Sequence, residues 1–522
     1  MNKKVFFLIL ILALVLRFYK LGEAPLSLDW DEASNAYNAY SILKTARDEY
    51  GNFLPLVNKS FEDYKPPLYM YFNVPTVAIL GLTPFAARLP SAFFGSLTVV
   101  AVYFLTKRLF EKNNSKELIS LASMLLTAIM PWHLQFSRVG FEANIGLFFT
   151  VVAFTLFIYG FRSTKMLLTS AILFGLSFYS YHSARIFVPM LFLLTTFLFR
   201  DEIMKVSKKL LVLFGVFIIM IVLPFFVFTP KEAIFQRYET TTQKSRIENI
   251  DESIRFILQD RNSNIPFSNI IHNRRLVITN SFLANYFSHF DFNFLFTEGD
   301  NNFRHHVENM GLLYIFQLPF FIYGIYLLIK AKMKEAIFIL GWFLFAPIPA
   351  SFGDAVPHAV RSLTMVVPIQ VITAYALANL YKTVRFKKVF IALSSIILGI
   401  SLLPYLHNYY YHYVFDKASW WQYGYQEAVL ESEKLKNQFE KINVDNSLEQ
   451  AYIFWLFNTK YDPFLYQQLG TRSHFDKYYF EKNKTENPKE LYVSTNLPES
   501  YQILKTIYLP DGKEAIKIGY PR

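Results

Sequence analysis

Apolar runs recur along the chain before Pro404, among them residues 5–16, 89–110, 118–130, 210–228, 312–329 and 389–403, with short polar stretches between them. Several approach the ~18 to 20 residues a helix needs to cross a bilayer. The recurrence predicts a mainly α, polytopic membrane protein with about eleven transmembrane helices. Residues 67–82 are read differently, because Pro75 stands at their middle and Tyr and Phe crowd their start. That suits a kinked interfacial helix at the headgroup level. The pattern changes near Pro404. Beyond it, residues 426–442 have helical periodicity, and residues 451–457 and 490–495 read as strands. Residues 508–519, around Pro510-Asp511-Gly512, read as a hairpin. The expected division is a transmembrane domain over residues 1–404 and a small C-terminal α/β domain over residues 405–522.

Charge orients the spans. With the N-terminus cytoplasmic, the inside segments are residues 1–4, 105–117, 161–166, 200–209, 330–335 and 382–388, and all six are basic. They hold 19 of the 52 Lys and Arg and 5 of the 40 Asp and Glu, which leaves 33 basic and 35 acidic residues elsewhere. The whole basic excess is thus a positive-inside signature, and no nucleic-acid partner is expected. The first loop (residues 18–66), the segment 229–309 and the C-terminal domain then fall outside the cytoplasm. The first run also has the charged start of a secretory signal, but no small-residue cleavage site follows, so an uncleaved first span is expected.

Composition agrees with the class: 53% of residues are hydrophobic and 18% aromatic, outside the range of soluble enzymes of this length. Cysteine is absent, which removes disulfides, thiolate nucleophiles and cysteine metal sites.

The densest chemistry follows the first span at Leu28-Asp29-Trp30-Asp31-Glu32-Ala33, which runs into a helix-like segment. Two roles fit these carboxylates. Asp29 and Asp31 suit helix capping, and a carboxylate beside a membrane also suits general-base work. Further along the same face stand Asp63-Tyr64-Lys65-Pro66-Pro67-Leu68, Arg88-Leu89-Pro90-Ser91 and Ser137-Arg138-Val139-Gly140-Phe141-Glu142. This ordered set resembles the dolichyl-phosphate-mannose protein mannosyltransferases and the bacterial aminoarabinose transferases of lipid A, members of the GT-C superfamily. The likeness in topology covers about the first 400 residues, with its motifs concentrated in the first 150.

The resemblance implies an inverting transfer of a glycosyl group from a polyprenyl-phosphate sugar donor to a protein, lipid or glycan acceptor at the cell membrane. Asp31 matches the family's base, with Glu32 beside it. Lys65 matches a lysine that binds the carrier phosphate in the aminoarabinose transferases, although Tyr64 stands where they carry an acidic residue. Arg138, Arg185, Arg304, His305, His358 and Arg361 are further candidates for the donor phosphate, each an external cation beside a span. No spacing of metal-ligand quality appears, so the metal is unassigned and a divalent cation stays open. A lipid or sugar flippase and a non-catalytic subunit are the alternatives. Transporters usually carry ionisable groups at mid-membrane, whereas here such groups collect in the external loops.

Overall fold

A computed structural model of the chain describes residues 2–480 and 487–522, with side-chain detail outside residues 235–245. It is mainly helical. Among the described residues six helices are long and apolar enough to cross a membrane: Pro84–Leu109, Glu142–Gly160, Lys208–Phe228, Lys334–Ser351, Leu363–Thr383 and Lys387–Asp416. At ~1.5 Å per residue, the 21 residues of Lys208–Phe228 reach the ~30 Å of a hydrocarbon core. Lys116–Ile129 and Pro131–Arg138 form a further candidate span bent by 57°, so the expected external turn after residue 130 is a short helix instead. Pro131, which cannot continue the hydrogen-bond ladder, marks the break. Leu68–Leu80, Thr164–Phe178, Ala184–Leu198 and Gln317–Ala331 are shorter apolar helices. Pro75 lies inside the first of these.

The chain divides into two compact units. Unit 1 comprises Met1–Leu16, Phe94–Phe136 and Ala143–Leu402. It contains most of the apolar helices and also the segment 229–309, which is largely two helices, the polar Lys231–Asn262 and the amphipathic Arg274–Ser288. The first of these lacks the apolar stripe that betrays a helix in sequence.

Unit 2 comprises Arg17–Phe93, Ser137–Glu142 and Leu403–Arg522, so the compact units do not coincide with a division at residue 404. Its helix Trp30–Thr45 is followed by an antiparallel ribbon of β1 (Asn58–Ser60) and β2 (Asp63–Lys65), with Asn58 opposite Lys65. The tail forms a six-stranded sheet from β3 (Lys441–Val444), β4 (His474–Phe475), β5 (Tyr478–Tyr479), β6 (Glu490–Ser494), β7 (Tyr501–Tyr508) and β8 (Glu514–Pro521). The order is β4-β5-β3-β6-β8-β7, with β3 parallel to both of its neighbours. β7 and β8 make the hairpin expected around Pro510-Asp511-Gly512.

Two details of the tail differ from expectation. Helix Tyr425–Leu435 stops earlier: Lys436–Gln438 form a 3₁₀ turn, and β3 starts at Lys441. Residues 451–457, expected as a strand, belong to the helix Ala451–Thr459. All seven are buried, and a short run that is apolar on every face has no period to separate strand from helix. This helix packs with Ala33, Ala36 and Tyr37 of helix Trp30–Thr45 in one apolar core.

Candidate functional site

The carboxylates at the start of helix Trp30–Thr45 have separate fates. Asp29 is the N-cap, accepting from the Glu32 N–H at 2.8 Å, while Glu32 Oε2 accepts from the Asp29 N–H at 3.1 Å. This reciprocal capping box fixes the helix start. Glu32 is also the partner of Arg88: Nε donates to Oε1 at 2.8 Å and Nη2 to Oε2 at 3.0 Å. Both side chains are buried, at 0% and 1% exposure. Arg88 further donates to the carbonyls of Leu21, Pro25 and Ser27, which ties the turn after the first helix to the acidic motif. The Gly140 N–H donates to Glu32 Oε1 at 2.8 Å, and a Cβ at Gly140 would stand 2.9 Å from Glu32 Cγ. Only glycine allows that approach. Glu32, expected in the chemistry, is therefore fully engaged in holding the motif.

Asp31 points elsewhere. Its Oδ1 accepts from Lys65 Nζ, and the two side chains keep 25% and 13% exposure. Burial pulls the Lys65 ammonium down, but Asp31, Glu142 and Asp63 outweigh it and hold its pKa above the ordinary lysine value. Glu142 Oε1 accepts from Asn35 Nδ2 at 3.0 Å, and Asn35 Oδ1 accepts from Asn58 Nδ2 at 3.3 Å. Asn35 lies one helical turn beyond Asp31, so both face the same side. The arrangement is a partly open carboxylate and ammonium, backed by a second, buried carboxylate.

Arg138 is not open to a ligand in the way the sequence suggests. It is buried, donates to the carbonyls of Arg17, Lys20 and Ala24 and to the Tyr409 hydroxyl, and stacks at 5.2 and 5.1 Å on Tyr409 and Tyr410. Its planar fork satisfies carbonyls left over where the first helix ends.

In unit 1 the structure gathers part of the other set. Asp300 Oδ2 accepts from His305 Nδ1 at 2.7 Å and from the Ala359 N–H at 2.8 Å. The rings of His305 and His358 lie 5.2 Å apart. Burial opposes the Asp300 charge, yet His305 and the Ala359 N–H outweigh it and hold the carboxyl far below its usual range. Burial drives His358 well below the usual imidazole value, which keeps a lone pair available. Asp300, His305 and His358 each offer one ligand atom, all within 4.8 Å of one another, a donor set suited to a divalent transition ion. Arg361 covers Gly353. Arg304 is joined to Gln135 through its carbonyl. Arg185 lies over the rings of Phe178 and Phe225 at 4.8 and 4.4 Å and faces His182, so its site is an aromatic one.

The family of dolichyl-phosphate-mannose-protein mannosyltransferases matches residues 64–228. No curated protein matches the chain in sequence. Among solved structures, ArnT from Cupriavidus metallidurans bound to undecaprenyl phosphate is 11% identical, over 99% of this chain and 98% of that one, with a TM-score of 0.55. Its apo state gives 12% identity and 0.57 over the same shares. The chain has the GT-C fold. The GT-C oligosaccharyltransferase AglB from Archaeoglobus fulgidus, in complex with an inhibitory peptide and a dolichol-phosphate, is 14% identical with a TM-score of 0.53. That match covers 87% of this chain and 63% of AglB, so the chain spans under two-thirds of its length. Glu142, read from sequence only as the last residue of a motif, had no place in the expected site. A lone carboxylate opening an apolar span was the available signal. Asp300 was given no ligand role, because it stands five residues before His305 but 58 before His358, a separation no motif records.

Proposed function

We propose that the chain transfers a glycosyl group from a polyprenyl-phosphate sugar to a hydroxyl acceptor outside the cytoplasm, with inversion at the anomeric carbon. One observation carries this reading. Of three adjacent carboxylates, Asp29 and Glu32 are buried in structural bonds, while Asp31 stays partly open against Lys65. Asp31 accepts the acceptor's hydroxyl proton as the oxygen attacks the anomeric carbon. The bond from that carbon to the phosphate oxygen breaks, and its electron pair leaves with the polyprenyl phosphate. Lys65 offsets the charge that grows on this leaving group. Glu32 and Arg88 are positioning residues, and Arg138 drops out of the phosphate-binding set. The undecaprenyl phosphate bound by ArnT and the dolichol-phosphate bound by AglB support a lipid-phosphate donor. The accompanying topology has about eleven spans with the N-terminus cytoplasmic and the tail outside.

The test supplies membranes containing the protein with a panel of radiolabelled polyprenyl-phosphate sugars and follows label into lipid, protein or polysaccharide. Asp31→Asn is expected to lose transfer by roughly 10²- to 10⁴-fold while still binding donor. Transfer by a folded Asp31→Asn chain at the parent rate would sink the assignment of the base. No transfer by the parent chain from any donor would return the reading to transport.

A further inference from the structure

Unit 2 contains a cleft of about 710 Å³, lined by Trp30, Phe61 and Glu62 of the first loop and by residues 444–446 and 448–452, Arg472, Ser473 and Phe480 of the tail. Its size lies within the ~300–1,000 Å³ of small-molecule sites. Two of its walls identify what it can hold. The loop wall adjoins the proposed reaction centre: Trp30 directly precedes Asp31, and the Phe61 ring lies 5.5 Å from Lys65 Nζ. The tail wall is the turn that leaves β3 and enters helix Ala451–Thr459. β3 is parallel to both neighbours, and open α/β sheets hold ligands beyond the carboxyl ends of such strands.

We propose that this cleft binds the acceptor and that the acceptor is an uncharged, hydroxyl-rich saccharide; the assignment to acceptor rests on the transferase reading above. Aromatic rings alternate here with hydrogen-bonding groups. Phe61 and Phe480 flank Tyr452, with ring centroids at 6.0 and 6.5 Å, and Trp30 stands on the same lining. The partly exposed rings of Trp30 and Phe480, backed by buried Phe61 and Tyr452, pack against the C–H surface of a sugar ring, while Asp445, Asn446, Glu449, Gln450 and Ser473 offer acceptors and donors for its hydroxyls. The charge excludes the donor phosphate. Among the described residues Glu62, Asp445 and Glu449 line the cleft against one cation, Arg472, which already pairs with Glu62. An anion entering there meets net negative charge. β3 itself is paired on both sides and offers a peptide backbone no edge to extend. Asp31, next in the chain to Trp30 of the lining, would then receive a proton from a hydroxyl at the end of the bound saccharide.

The experiment uses the full chain in nanodiscs and reads binding without transfer. Probes are uncharged di- to hexasaccharides, a basic peptide carrying Ser and Thr, and undecaprenyl phosphate, followed by saturation-transfer NMR and by calorimetry. Asn446 and Glu449 are exposed, so Asn446→Ala/Glu449→Gln leaves the core intact. This variant is expected to weaken saccharide binding by about tenfold or more and to leave undecaprenyl phosphate binding unchanged. Asp31→Asn is expected to retain saccharide binding. The proposal is overturned if no saccharide binds, if the double variant binds it as well as the parent chain, or if the peptide takes the cleft and saccharides do not. Each of those outcomes is independent of whether Asp31→Asn loses transfer, so the two readings fail separately.

Discussion

Replacing Arg88 by Met removes the partner of a carboxylate that has no access to water. Glu32 would keep the Gly140 N–H and the Asp29 capping contacts, but its charge would be uncompensated, and the carbonyls of Leu21, Pro25 and Ser27 would lose their donor. Breaking one side of a buried pair costs about 3–5 kcal/mol, most of it from the charge left behind. Glu32→Gln strands the guanidinium instead and is expected to cost a similar amount. Arg88→Met/Glu32→Gln removes both charges, so its cost should fall short of the sum of the single changes by at least about 2 kcal/mol. Denaturant titration in mixed micelles, followed by tryptophan fluorescence, measures the four proteins side by side. A stability of Arg88→Met within about 1 kcal/mol of the parent chain, or strict additivity in the double variant, would refute the account. Transfer activity should fall further than stability, since Asp31 adjoins Glu32 and small displacements of a base are costly.

Lys65→Met is expected to weaken undecaprenyl phosphate binding by roughly 10- to 100-fold, with partial rescue by Lys65→Arg, as read by calorimetry. Because the Lys65 pKa is held above its ordinary value of 10.5, its contribution is complete below that value and is lost only as pH rises through the raised one, so donor binding should not fall between pH 6 and pH 9 through this group. Burial pushes the Glu49 carboxyl from 4.5 up to about 8, against a hydrogen bond from Asn38. The folded state thus favours the protonated form, and the stability of the parent chain relative to Glu49→Gln should decline as pH rises from about 4.5 to about 8 and stay level outside that window. Gly140→Ala drives a methyl group into Glu32 Cγ and towards the Tyr69 hydroxyl. It should cost about 1–3 kcal/mol in the same titration and reduce transfer.

Local patterns carried much of this in advance. Asp31 and Lys65 lay in two motifs 34 residues apart, and an antiparallel ribbon ending at Lys65 brings them together. The role of Arg138 was not legible, because its partners are main-chain carbonyls and a tyrosine far along the chain at position 409, and composition says nothing about carbonyls. Residues 451–457 misled for a related reason: burial on all sides erases the period that distinguishes helix from strand. Glu32 and Asp31 could not be told apart by type or position. Their division of labour arises from Arg88, 56 residues away, which reaches one of them and not the other.

Unit 2 has a further consequence for how such a chain is made. Its pieces are residues 17–93, a connector at 137–142 and the stretch from 403 onward, so the acidic motif is synthesised roughly 420 residues before the tail helix that completes its core. Contacts of such long sequence separation form late. During synthesis, helix Trp30–Thr45 would wait with its Ala33 and Tyr37 face uncovered while span after span is inserted, exposed to mispairing and proteolysis. A chain interrupted anywhere between residues 66 and 451 would carry every residue of the Asp31 and Lys65 pair and yet lack the scaffold that packs behind them.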